Sequence, residues 1–313
     1  MNPDANHLNC LLCGSKQLKD FDRLNGRQIR ALWRERGTEF PAEALKGISD
    51  STDVILWECC GCGFKFFDPS LAGNGLFYQL LESADYYSTG RPEFQRTLEF
   101  AAKNRLTTVL DVGCGAGAFL DQARQAGLQT FGLELNVAAA EKARAKGHHI
   151  FDRLLHEIPT TACPGGFDLI TLFQVLEHVS DPVAVVKDAA AHLKPGGFVA
   201  VAVPSEVGVL RLIPLDPAQW PPHHISRWRL EDFKTLAAKT RLSPVKAGGD
   251  VLLGSRIEQV IQSQRQMEAV IGKRPPGKAP AWPHWLSWLY RKTGMKHFFP
   301  HRGDSIYVFL LKT

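Results

Sequence analysis

One stretch restricts the fold of this chain more than any other. Val109-Leu-Asp-Val-Gly-Cys-Gly-Ala-Gly117 is an apolar strand that runs directly into alternating glycines and then into a helical segment. Glycine lets the main chain turn sharply and lets a ligand approach the backbone closely, and in an open α/β sheet such a turn lies at the carboxyl edge, where ligands bind. The same alternation continues along the chain. TTVLDV, AFLDQARQAG, QTFGLEL, VAAAEKARAKG and HHIFD read as strand, helix, strand, helix, strand. FDLITLFQ, a helix from about Pro182 to Leu193, the turn Lys194 to Gly197 and the strand FVAVAVP follow. Alternating strand and helix predicts a parallel sheet with helices on both faces.

The flanks read differently. Residues 70–104 read as a connector followed by a helix carrying Glu93, Phe94, Leu98, Phe100 and Ala101, with Tyr86 and Tyr87 just before it. After Pro204 come a proline-rich loop (IPLDPAQWPPHHIS), the helical RLEDFKTLAAKT, a strand near Val245 to Leu253 and the final strand DSIYVFLLK. An insertion near 265–303 separates those last strands, and its prolines predict a loop around one short aromatic helix. That helix carries Trp282, Trp285, Trp288, Leu289 and Tyr290, with Arg291, Lys292 and Lys296 nearby. Packing on the core is the first reading of it; a lid over the site or peripheral membrane contact are the alternatives.

Composition excludes several classes. A chain of 313 residues that is 44% hydrophobic can bury a large core. The net charge of +5 is the balance of 37 basic and 32 acidic residues scattered along it, so no basic tract argues for nucleic acid. The N-terminus lacks the charged-then-apolar pattern of a signal peptide and no apolar run is long enough to span a bilayer, which makes a cytoplasmic location the expectation.

The glycine loop alone is ambiguous, because Gly113, Gly115 and Ala118 also satisfy the G-x-G-x-x-G/A dinucleotide fingerprint. Asp111 narrows the choice. An acid two residues before the first glycine is unwelcome beside a pyrophosphate, but it can receive the ammonium of a methionine moiety, which favours a sulfonium cofactor. Glu134, ending the second strand of the repeat, is placed to accept from the ribose hydroxyls of an adenosine of either type.

LDVGCGAG, GLELN, FDLITLFQVLEHVSDP and LKPGGFVAVAVP, in this order and spacing, resemble the class I S-adenosylmethionine-dependent methyltransferases, strongly over about 105–205. The resemblance implies a Rossmann-like sheet of seven strands with the last antiparallel. It further implies that Asp111, Gly113, Gly115 and Gly117 line the methionine side, Glu134 and Leu135 the ribose and adenine, and Phe173 and Gln174 the far wall. Asp152 resembles the family's adenine-side acid at looser spacing.

Methyl transfer needs alignment of the acceptor and, in some cases, a base. His178, in Leu-Glu-His-Val, follows the fourth strand of the repeat; His223 and His224 lie in the loop after the fifth. PPHHISRWRLEDF resembles the histidine stretch of sugar-modifying and small-molecule methyltransferases, and His224 best matches the acceptor-contacting position. For each histidine a purely structural role in fixing its loop is the competing reading. No Asn/Asp-Pro-Pro-Tyr tetrapeptide follows the fourth strand, so oxygen or carbon acceptors fit better than planar nitrogens.

Cys10 and Cys13, and Cys59 and Cys62, form two C-x-x-C knuckles flanking residues 14–58. Four thiolates suit a closed structural zinc site, and an odd total of seven cysteines does not suit a disulfide framework. Residues 10–69 are short on periodic apolar segments and are expected to bury little core without that staple. Cys60 is an extra thiol beside the second knuckle. The arrangement divides the chain into a zinc-binding module over 1–75 and a methyltransferase domain over 76–313. It resembles a bacterial group acting on sugars or surface-polysaccharide precursors, so a nucleotide sugar or glycan is the expected acceptor. An RNA methyltransferase contacting RNA through the zinc module, and a cofactor-binding protein without catalysis, are the rival functions.

Overall fold

The computed structural model describes residues 8–45, 47–81, 91–208, 211, 213–250, 263–264, 266–271 and 303–313. Tyr86, Tyr87 and the aromatic segment 282–296 lie outside the described residues. In chain order the elements are β1 (Leu18–Asn25), α1 (Gly26–Glu35), β2 (Asp53–Cys59), β3 (Lys65–Phe66), α2 (Gly75–Leu81), α3 (Pro92–Lys103) and β4 (Thr108–Val112). Next come α4 (Ala118–Gln125), β5 (Gln129–Leu133), α5 (Val137–Ala145), β6 (His149–Phe151), β7 (Phe167–Phe173) and α6 (Pro182–His192). The chain closes with β8 (Leu193–Pro204), β9 (Ser226–Arg227), α7 (Asp232–Thr240), β10 (Leu242–Gly249) and β11 (Ser305–Lys312).

The larger sheet has seven strands in the order β10-β11-β8-β7-β4-β5-β6. β4 to β8 are mutually parallel, and β11, the last strand in sequence, runs antiparallel to both β8 and β10. This is the Rossmann-like α/β sheet expected from the repeat. β7 is buried at every position, as a central parallel strand covered on both faces must be. From β4 the chain winds outward through β5 and β6, then returns to place β7 on β4's other side. That reversal opens a crevice beyond the carboxyl end of β4, the point where such sheets take ligands. The turn read at Lys194 to Gly197 lies within β8. Phe167 pairs with Leu193 and Leu169 with Phe198, so residues 194–197 loop out of the ladder, with Gly196 at φ 76°.

The N-terminal stretch buries more than its sequence pattern promised. Asn25 caps α1 in a reciprocal capping box with Gln28, and the helix turns Ile29, Leu32 and Trp33 inward. β2 alternates with period two. Val54 and Leu56 enter one apolar cluster with α1, Phe40 and Leu45, while Ile55 and Trp57 enter another with Leu110, Val112 and Ile170 of the large sheet. Both faces of β2 are buried, with later chain (Phe77, Leu215, Trp220) supplying partners that the stretch lacks by itself. The small sheet likewise runs β1-β2-β3-β9, its last strand taken from residues 226–227.

Candidate functional site

The glycine loop turns between β4 and α4 through three left-handed residues, Gly113 at φ 73°, Gly115 at 53° and Gly117 at 81°. An L side chain is strained there, which is why alternating glycines occupy the turn. A Cβ on Gly113 would also lie 3.1 Å from Val175 Cγ2. A cleft opens over this loop, lined by Asp111, Gly113, Cys114, Phe119, Phe173 and Gln174 among others. Phe173 forms its apolar wall, with ring centroids 5.4 Å from Phe94 and 5.0 Å from Phe119.

Asp111, at the end of β4, is buried and accepts a 2.6 Å hydrogen bond from Thr171 Oγ1 of β7. Burial raises its carboxyl to about 7, with the Glu134 charge adding and the Thr171 bond and Arg91 opposing. Glu134 caps the loop. Its two carboxylate oxygens accept from Gly115 N–H and Asn136 N–H, each at 2.8 Å, which locks the glycine turn to the end of β5. Leu135 beside it is 56% exposed. Gln174 sits at φ 57° and donates from its backbone N–H to Ala202 O at 2.7 Å, turning the chain out of β7. Asp152 follows Phe151, whose carbonyl accepts from Glu134 N–H at 3.0 Å, and forms an exposed ion pair with Arg144 at 3.2 Å.

From Gln174 the chain makes one turn and reaches Glu177 and His178. Here the structure joins segments far apart in sequence. Ile225 N–H and Ser226 N–H donate to Glu177 O at 2.7 and 3.2 Å, and Ser226 Oγ–H donates to Leu176 O at 3.2 Å. His178 Nδ1–H donates to His223 O at 2.7 Å. His178, His223 and His224 therefore converge, with ring centroids 4.6 to 4.9 Å apart and the rings of His223 and His224 stacked. Burial holds His178 down at about 4 and the other two well below the usual imidazole range, so all three are neutral.

Sequence reading did not single out Glu177. Its carboxylate is buried, neither oxygen has a hydrogen-bond partner, and burial raises it to about 8. Its place in Leu-Glu-His-Val, beside a histidine already chosen, was the available signal. Arg91 was also missed. It lines the cleft, and its charge acts on Asp111, Glu177 and His178 alike, which links the cleft to the histidine cluster.

The four paired cysteines meet as well. Cys10 Sγ lies 3.7 Å from Cys62 Sγ, and Cys13 Sγ 3.5 Å from Cys59 Sγ. Tetrahedral zinc at about 2.3 Å from each sulfur sets thiolates roughly 3.8 Å apart, so the donor set fits that geometry with small adjustment. Each knuckle closes on a backbone bond, Gly14 N–H to Cys10 O at 2.9 Å and Gly63 N–H to Cys59 O at 2.8 Å. The Cys60 side chain is exposed, outside the cluster.

The methyltransferase domain model matches residues 86–246, which is just over half of the chain. The chain belongs to the methyltransferase domain family. Among curated proteins this methyltransferase is similar to a ubiquinone biosynthesis O-methyltransferase of Albidiferax ferrireducens, 37% identical over 97 residues that cover 29% of this chain and 38% of that protein. A protein of the same name from Ralstonia nicotianae is 34% identical over 110 residues, 34% of this chain and 44% of that one. The chain thus spans about two fifths of the length of the curated relatives it matches. Among solved structures, a SAM dependent methyltransferase from Archaeoglobus fulgidus is 15% identical with a TM-score of 0.48, over 75% of this chain and all of that one (100%). No helix among the described residues is long and apolar enough to cross a membrane.

Proposed function

We propose that this methyltransferase transfers the methyl group of S-adenosylmethionine to an oxygen of a small-molecule acceptor, with the cleft over Gly113–Gly117 as the cofactor site and the histidine cluster as the acceptor end. The observation that carries the reading is Asp111, a buried carboxyl at the carboxyl end of β4, lining a cleft together with the left-handed Gly113 at the sheet's reversal point. When bound, the sulfonium supplies an activated methyl carbon for in-line displacement.

The chain's own residues do the rest. Asp111 receives the ammonium of the methionine moiety, Gly113, Gly115 and Gly117 let the ligand lie against the backbone, and Glu134 and Leu135 take the ribose and adenine. Phe173 and Gln174 close the far wall. His178 and His224, held neutral by burial, accept or orient the acceptor's hydroxyl, with His223 supporting them from its own hydrogen bond to Ala218 O at 2.9 Å. Cys10, Cys13, Cys59 and Cys62 hold structural zinc. Oxygen is preferred to carbon because the curated relatives are O-methyltransferases. A sugar or surface-polysaccharide precursor as acceptor rests on the resemblances of PPHHISRWRLEDF and of the four-cysteine N-terminal arrangement.

The RNA reading is disfavoured, since base stacking needs exposed aromatic faces and the tryptophans of the N-terminal module, Trp33 and Trp57, are buried. The test is calorimetric titration with S-adenosylmethionine, S-adenosylhomocysteine and NAD, beside a Glu134→Ala variant. Binding of both sulfur nucleotides, weakened in the variant and absent for NAD, is expected. Binding of NAD alone would overturn the reading.

A further inference from the structure

We infer that His178, His223 and His224, with the carboxylate of Glu177, form a second metal site that takes a divalent transition ion of the zinc type, separate from the four-cysteine cluster. Each of the three histidines offers a ring nitrogen within 4.8 Å of the other two. Two of the tautomers are fixed. His178 Nδ1–H donates to His223 O and His223 Nδ1–H to Ala218 O, which leaves the lone pair of each ring on Nε2. A carbonyl bound at the far nitrogen is how proteins orient imidazoles that ligate metals.

Glu177 supplies the second, independent observation. A buried carboxyl without any hydrogen-bond partner is costly; alone it keeps its proton, and a cation beside it would displace that proton and pair with the carboxylate. Its Oε1 lies 3.6 Å from His178 Nε2. That is too long for a hydrogen bond. It is close to the roughly 3.4 Å edge of a tetrahedron whose nitrogen and oxygen ligands each stand about 2.1 Å from zinc. The remaining nitrogens need to draw in by on the order of 1 Å, within reach of side-chain rotation. Three neutral imidazoles and one carboxylate suit zinc, iron or nickel and not calcium or magnesium, which prefer oxygen.

The surroundings favour one purpose for the site. Tyr78 and His178 rings are 5.9 Å apart and Tyr78 O–H reaches His223 O at 3.4 Å, so an aromatic wall flanks the cluster. Arg91 ties it to the cofactor cleft. Expanded to a fifth ligand, an ion here would bind the acceptor's oxygen directly and lower its pKa, so that the hydroxyl attacks as an alkoxide or phenolate with its proton released to solvent. This last point rests on the proposed methyltransferase reading; the metal site itself does not.

The test loads the full chain with Co²⁺ in place of native metal and follows stoichiometry and visible absorption. About two ions per chain are expected, one giving the intense sulfur-to-cobalt charge transfer of a thiolate site and one the weaker bands of nitrogen and oxygen ligation. His223→Gln with His224→Gln should lose the second ion and its bands only, and Cys13→Ser should degrade the first spectrum only. Retained thiolate bands and retained S-adenosylhomocysteine binding in the histidine variant report that it is folded. About one ion per chain, with a spectrum unchanged by the histidine substitutions, overturns the site. Failure of S-adenosylhomocysteine to bind the wild-type chain would count against the cofactor reading instead, whatever the metal count.

Discussion

At residue scale the protonation of Asp111 gives a direct handle on the proposed cofactor site. Its carboxyl, raised to about 7 by burial, keeps a proton that the unfolded chain releases near its ordinary value of 3.8. Unfolding therefore releases a proton between about pH 4 and 7, and this residue's contribution to stability falls as pH rises through that window. Ligand binding has the opposite sign. An ammonium against Asp111 favours the ionised form, so S-adenosylhomocysteine should bind more tightly as pH rises to about 7 and level off above it. Asp111→Asn should bind it roughly tenfold or more weakly, the worth of one charge-assisted hydrogen bond, with that rise removed. Titrations at several pH values check this, and an unchanged pH profile in the variant would refute the assigned role. Asp111 was legible in sequence because strand, acid and glycines are contiguous. Glu177 was not, since its character comes from residues 223–226 packing against it and removing its water.

At the scale of elements, β5 packs against the loop and α4 only because residue 132 has no side chain. A Cβ there would meet Cys114 Sγ at 2.6 Å, Ile150 Cδ1 at 2.7 Å and Leu120 Cδ1 at 2.9 Å. Gly132→Ala is therefore an overpacking change, expected to cost about 1–3 kcal/mol. A thermal melt should move down by several degrees, with S-adenosylhomocysteine binding weakened because Gly115 is tied to the end of this strand through Glu134. An unshifted melt would mean that the three neighbours yield freely. Elements of this kind were readable: β4 to β8 are short apolar runs separated by helical periods and glycine. The strand β1 was not, because LKDFDRLN carries charge on both faces and becomes a strand through its antiparallel pairing with β2. Residues 194–197 were read as a bare turn for a related reason: the ladder resumes around them, and only pairing partners reveal that.

At the scale of the whole molecule, the N-terminal stretch and the large sheet share one apolar core. Cys10, Leu12, Cys59 and Phe64 share an apolar cluster with Leu110, Val112 and Ile170 of the large sheet. β3 pairs with β9, Lys65 meets Glu206 in a mostly buried ion pair, and Arg229 Nη2 donates to Cys62 O at 3.2 Å. The sequence division into 1–75 and 76–313 cannot anticipate such contacts, because β9 is two residues long and has no strand pattern of its own. Structural zinc sites contribute folding free energy outright. Metal held by the cysteines should then stabilise the methyltransferase sheet as well as the knuckles. Stripping it with a thiol-competitive chelator, or replacing Cys13 by Ser, is expected to lower the midpoint of a single unfolding transition. Far-UV signal, tryptophan fluorescence and S-adenosylhomocysteine binding should be lost together along it. Two separated transitions, with cofactor binding surviving the first, would instead assign the zinc module to a unit that unfolds on its own. The shared cluster would then contribute less than its burial implies.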